Sequence, residues 1–271
     1  MSLLRRLFSG KQPPADPIDP RPAPRFSVDP ARMFDLTLTS RLAQLAAIDV
    51  RDDSWTDSFF AAAWNAAIAL PAAAPETGPD GFAYLRIDIP EPGTVFDSQS
   101  LAHLAQDCVD RASGVALFPH PAADRPVFVM SMGLLESLLR YGDWRGDPVD
   151  LAEQGHGAGG ESGPMTLKAG ETILRGAPSS DYLSPAAARA MAAHLAGKWN
   201  MARPRVALLA NPAMRPTRSL VINRRLASFA DEADAQYFAQ CVMWHLPPSR
   251  ALVFMPDGWA EADLFPLGDF T

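Results

Sequence analysis

Cysteine is nearly absent from this sequence of 271 residues: there are two, Cys108 and Cys241, far apart in the chain. Both lie in apolar segments that read as helical, so they are expected as buried small hydrophobes rather than as a disulfide or a metal pair. No apolar run approaches the roughly 20 residues that span a bilayer. The apolar stretch within residues 1–10 is too short and interrupted for a signal peptide, so the cytoplasm is the expected location. The motifs of several enzyme classes are also missing. There is no G-x-S-x-G elbow and no G-x-x-x-x-G-K-[ST] loop. The five histidines (His103, His120, His156, His194 and His245) pair with no Cys, Asp, Glu or other His at metal-ligand spacing. The glycine-rich run at 155–163 follows a polar loop and leads into Pro164, which is the context of a linker rather than of a dinucleotide loop. No cofactor and no metal are expected. The acidic pairs Asp52-Asp53, Asp147 with Asp150, and Glu261 with Asp263 fall in loops or at element ends, without a visible cleft to shift their pKa values.

One further absence is local. Between Asp181 and Asp231 there is no Asp or Glu, although 31 acidic residues in 271 would place five or six in that window of 49. The window holds Arg189, Lys198, Arg203, Arg205, Arg215, Arg218, Arg224 and Arg225, a net charge of +8 in a chain whose total is −7. An acidic chain is not, as a whole, a nucleic-acid binder, and with Trp199 as nearly the only aromatic the window makes a poor single-strand stacking platform. Seven of the eight are arginines, which suit bidentate contacts to carboxylate or phosphate. Three readings follow: the basic window docks on acidic surface within the chain or is simply solvated, it meets an acidic protein partner, or it takes a nucleotide, nucleic acid or anionic lipid. Arg215, Arg218, Arg224 and Arg225 are the candidate contact residues.

Proline is abundant, 26 residues, and seven of them fall within 11–30. Residues 1–30 therefore read as an extended tether. At its start Leu3, Leu4, Leu7 and Phe8 would share one helix face opposite Arg5 and Arg6. That is a sticky tail, or a short interfacial foot for a membrane or a docking site. Helices are expected over 33–48 and 54–70, the second carrying Trp55, Phe59, Phe60 and Trp64 at core spacing. The alternation of Ala83, Leu85, Ile87 and Ile89 with Tyr84, Arg86 and Asp88 predicts a strand with one wet face. A helix to about 112, strands at 114–118 and 126–130, and a helix over 134–141 complete a β-α-β-β-α order. Residues 171–174, 185–199, 206–210, 219–223, 231–244 and 251–255 give β-α-β-β-α-β. The expected fold class is α/β of the α+β type. Two tandem units, 31–154 and 166–271, carry their helices on mixed or antiparallel sheets and are joined by a linker at 155–165.

Ile173-Leu174-Arg175-Gly176-Ala177-Pro178, then Pro185 opening a helix, then Val206-Ala207-Leu208-Leu209, form a pattern similar to the C-terminal domain of the enhanced serine sensitivity (SseB) family. The resemblance covers about 170–260. It implies a small α/β module of bacterial type and brings no catalytic residues. Taken together, the sequence favours a non-enzymatic interaction or regulatory protein with an arginine-rich face for an acidic partner. The alternative is an enzyme, hydrolytic in kind, with its site between the two units.

Overall fold

The computed structural model describes residues 34–154, 173–211 and 216–271. The expected tether at 1–30, the linker at 155–165 and Arg215 lie outside those residues. Among the described residues no helix is long and apolar enough to cross a membrane.

The chain begins with α1 (Leu36–Ala46) and α2 (Asp53–Ala63), each opened by an aspartate. Asp35 accepts from the backbone of Thr37 and Leu38, and Asp52 from that of Trp55, so each satisfies N–H groups that the first turn leaves without partners. The second helix stops earlier than its apolar pattern suggests. Ile68–Ala69 forms a short strand, β1, antiparallel to the later strand at 83–88. An Ala-rich apolar run suits a buried strand as well as a helix, and the sheet pairing decides between them.

The first sheet then assembles from β2 (Glu76–Thr77), β3 (Ala83–Asp88) and β4 (Ser98–Gln99), followed by α3 (Leu101–Asp110), β5 (Gly114–Phe118), β6 (Phe128–Met130) and α4 (Met132–Tyr141). Its order is β4-β1-β3-β5-β6, with β2 also on β3. β3 and β5 run parallel around the α3 crossover, and β6 returns antiparallel. A short helix that the sequence pattern does not reveal, α5 (Pro148–Gln154), follows.

The second sheet takes β7 (Leu174–Gly176), α6 (Pro185–Trp199), β8 (Arg205–Ala210), β9 (Arg218–Ile222), α7 (Glu232–Met243), β10 (Leu252–Phe254) and a late strand, β11 (Phe265–Pro266). Its order is β10-β9-β8-β11, with β7 also on β8. Both sheets are mixed and carry helices, as an α+β fold requires. The shared β-α-β-β-α order does not extend to pairing. β3 and β5 are parallel, whereas β7 and β8, which flank α6 in the same way, are antiparallel.

The two halves share one core. A single cluster of buried apolar side chains runs from Leu42 and Phe59 through Leu117 and Leu135 to Met191, Ile222, Phe238 and Leu267. The face of β3 expected to be wet is covered. Asp88 is buried under Arg86, which bonds it at 3.0 Å and lies over the Phe118 ring, and Tyr84 packs edge-on to Trp244 from beyond α7. Two glycines allow the halves to close. A Cβ on Gly133 would fall under 3.0 Å from the Leu246 backbone, and one on Gly146, at φ +128°, equally close to Ser249.

Candidate functional site

The candidate arginines separate by their partners. Arg218, on the first residue of β9, points inward and bonds Asp150. Asp150 also binds Arg250, whose side chain is fully buried. Arg250 reaches Asp147 at 3.3 Å, Tyr141 Oη at 2.6 Å, and the carbonyls of Asp181 and Tyr182 at 2.9 and 3.1 Å. Every N–H direction of this guanidinium is used, and its plane lies 4.3 Å from the Tyr182 ring centroid. Burial disfavours the charge of Arg250, but Tyr141, Asp150, Tyr182 and Asp147 outweigh it and raise its pKa. The Asp147/Asp150 pair, in sequence one of three acidic pairs without a visible cleft, thus ties α5 of the first half to β9 and to the segment before β10 of the second.

Arg225 is also engaged within the molecule. It donates to the carbonyls of Pro256 (2.8 Å) and Trp259 (2.6 Å) and pairs with Asp257 at 3.5 Å, which fixes the loop after β10. Arg218 and Arg225 therefore leave the expected contact face. The rest of the window divides similarly. Arg205 donates to the Leu264 carbonyl, and Lys198 to Tyr237 Oη and the Asp80 carbonyl.

Arg224 differs from these. Its guanidinium lies over the Phe229 ring at 5.1 Å, and its Nε is buried without a hydrogen-bond partner. Arg203, exposed and two residues before β8, sits beside it. Neither forms an ion pair or a side-chain hydrogen bond among the described residues. Both line an open groove of about 340 Å³ with Met201, Ala202, Asn223 and Glu261. The hairpin register builds this site. Val206 faces Ile222, so the residues before β8 meet those after β9. Asn223 fastens the junction: its Oδ1 accepts from the Arg205 backbone at 2.7 Å and its Nδ2 donates to the Arg203 carbonyl at 3.2 Å. The Arg224 carbonyl is held by the Met255 N–H at 2.9 Å. The backbones are fixed while the two guanidinium groups remain available. Arg203 was legible in principle, because pairing strands 206–210 and 219–223 as a hairpin brings 203–205 and 223–224 together.

A second shallow groove of about 280 Å³ lies between α3, α4 and the start of α6, where Arg189 meets Asp110 and the Glu136–Arg140 pair. Its charges are mixed, and Arg140 is already bonded to Glu136 at 2.8 Å. Among the described residues no group of three or more metal-ligating side chains comes together. Between the two halves lie the Asp150–Arg250 network and a stack of aromatic rings with His194 and His245. Among the described residues no histidine there forms an ion pair with a carboxylate.

No protein-family model matches the chain, and no curated protein or solved structure matches it either. The site is therefore read from its own geometry.

Proposed function

We propose that this chain is a non-enzymatic interaction protein of the cytoplasm whose Arg203/Arg224 groove takes the carboxylate side chains of an acidic protein partner. One observation carries the reading: in a basic window whose other members mostly have partners inside the molecule, these two arginines share a groove and form no ion pair or side-chain hydrogen bond among the described residues. Unpaired guanidinium groups on fixed backbone are preorganised for bidentate carboxylate contacts, and a partly buried one gains more from such a contact than an exposed one. The SseB-like reading of 170–260 belongs to the same proposal, since it implies a module without catalytic residues. The alternative, a hydrolytic site between the halves, lacks a cleft in which a histidine and a carboxylate meet among the described residues.

The test is fluorescence anisotropy with a labelled Asp/Glu-rich peptide and, in parallel arms, an oligonucleotide and inorganic phosphate. The acidic peptide is expected to bind the wild type. Binding is expected to weaken by tenfold or more in Arg203→Glu/Arg224→Glu, and to change little in Arg125→Glu, an exposed arginine elsewhere. Equal loss in both variants, or binding of the oligonucleotide alone, refutes the reading.

A further inference from the structure

The seam between the two halves is closed by rings. Phe82, just before β3, lies flat between His194 of α6 and Trp244 from beyond α7. Its centroid is 4.9 Å from the His194 ring at 13° and 4.2 Å from the Trp244 ring at 5°. His245 stands edge-on to Phe82, Trp244 and His194, with the two imidazoles 5.2 Å apart. His245 is only 3% exposed, and among the described residues neither of its ring nitrogens has a hydrogen-bond partner; His194 Nε2 is likewise buried and unpartnered there. Buried imidazoles usually have both nitrogens satisfied, and a structure that omits those bonds holds the neutral ring by shape alone.

From these contacts we infer that the seam is an acid-sensitive latch. Proton uptake by His245 and His194 expels the rings from around Phe82 and opens the contact between the halves. This goes beyond the binding reading and does not depend on it.

The surrounding charges support this direction. On α6, Lys198 adds positive charge one turn from His194. On α7, Cys241 is a buried neutral thiol, and Tyr237 is bonded to Lys198. From the segment before β3, Asp80 is occupied by Tyr84 Oη at 2.6 Å. On α4, which meets Leu246 at Gly133, Glu136 is paired with Arg140. No carboxylate forms an ion pair with either imidazole among the described residues. Burial, then the neighbouring His194, hold His245 down to about 3; burial, then Lys198, lower His194. With the seam open both rings regain the ordinary value of about 6.5. The open state therefore binds more protons below that pH, and acid favours opening. For His245 alone the open-to-closed ratio rises by up to tenfold per pH unit between about 6.5 and about 3.

The test is hydrogen–deuterium exchange on the full chain, corrected for intrinsic rates, from about pH 7.5 to about pH 4.5. Residues 78–84 and 244–246 are expected to lose protection progressively below pH 6.5, by up to tenfold per unit, while β8 stays protected. The His194→Leu/His245→Leu variant is expected to keep the seam protected in acid. The inference is overturned if β8 opens together with the seam, or if the double variant opens as the wild type does. Should that variant fail to fold, NMR titration of the wild-type histidines decides. Depressed titration of His245 that tracks seam opening upholds the latch, and an ordinary value in the folded chain overturns it.

Discussion

Replacing Arg250 by methionine should be among the most damaging single changes in this molecule. The substitution keeps an unbranched side chain of similar reach and removes a guanidinium with no exposed surface of its own. Asp150, with a side chain only 2% exposed, would keep Arg218 alone as a charged partner. The Tyr182 carbonyl and Tyr141 Oη would lose the guanidinium as donor, while the Asp181 carbonyl would keep Arg140 and Tyr141. Removing one partner of a buried ion pair costs about 3–5 kcal/mol where the other charge is left uncompensated; with Arg218 still on Asp150 the cost lies at the lower end, about 3 kcal/mol. Against a total stability of about 5–15 kcal/mol, that shifts a urea midpoint by roughly 1–2 M. The companion variant Arg250→Met/Asp150→Leu removes both buried charges, and the 30% exposed Arg218 can turn to water. It should therefore be more stable than Arg250→Met alone, with a coupling energy of about 1–3 kcal/mol in a double-mutant cycle. Urea titrations of the four proteins, followed by tryptophan fluorescence, measure both quantities. A cost below about 1 kcal/mol for the single variant, or a double variant no better than the single, would refute the claim that this network holds α5 to the second sheet.

Gly133→Ala should cost at least about 2–3 kcal/mol in the same titration, since its Cβ meets backbone, which cannot turn aside. Gly197→Ala, in α6 with nothing near its Cβ, should instead gain about 0.5–1 kcal/mol from helix propensity. Ser184→Ala should lose about 1 kcal/mol, because Ser184 Oγ accepts from the Ala187 N–H at 3.1 Å and caps α6. Neither cysteine should react with a thiol reagent until the chain unfolds: both are 1% exposed, and burial pushes Cys108 up to about 11. Fast labelling of the native protein would contradict that.

The fold was legible where one signal acted alone. Ser184-Pro185 and Asp231 mark real helix starts, and 114–118 is a strand because its apolar run is short and bounded by turns. Legibility failed where pairing across the chain decided. Residues 68–69 pair as a strand between β4 and β3 instead of continuing the helix, and β11 is a strand only because Phe265 meets Val206. The polar face of β3 looked solvated because its alternation is regular. Its cover comes from Arg86 folding back on Asp88, and from Trp244, which lies 160 residues from Tyr84 in sequence.

The arginine window shows the same limit in electrostatic form. Counting charges located an excess, but it could not say which cations were already matched. Arg218 finds its carboxylate 68 residues upstream, and Arg225 finds its carbonyls more than 30 residues downstream. The first partner depends on how the two halves meet, the second on the pairing of β9 with β10. Arg203 and Arg224 are left over for the opposite reason: the hairpin register that brings them together also keeps their backbones occupied with Asn223 and Met255, and among the described residues no acidic side chain pairs with them. A surplus that survives internal pairing is a sharper marker of an external anion than the raw count of eight. It implies that Arg218→Ala should act chiefly on stability and Arg224→Ala chiefly on peptide binding and its salt dependence. Titrating both variants for stability and for acidic-peptide affinity separates the two roles; if Arg218→Ala weakened the peptide as much as Arg224→Ala did at unchanged stability, the division would fail.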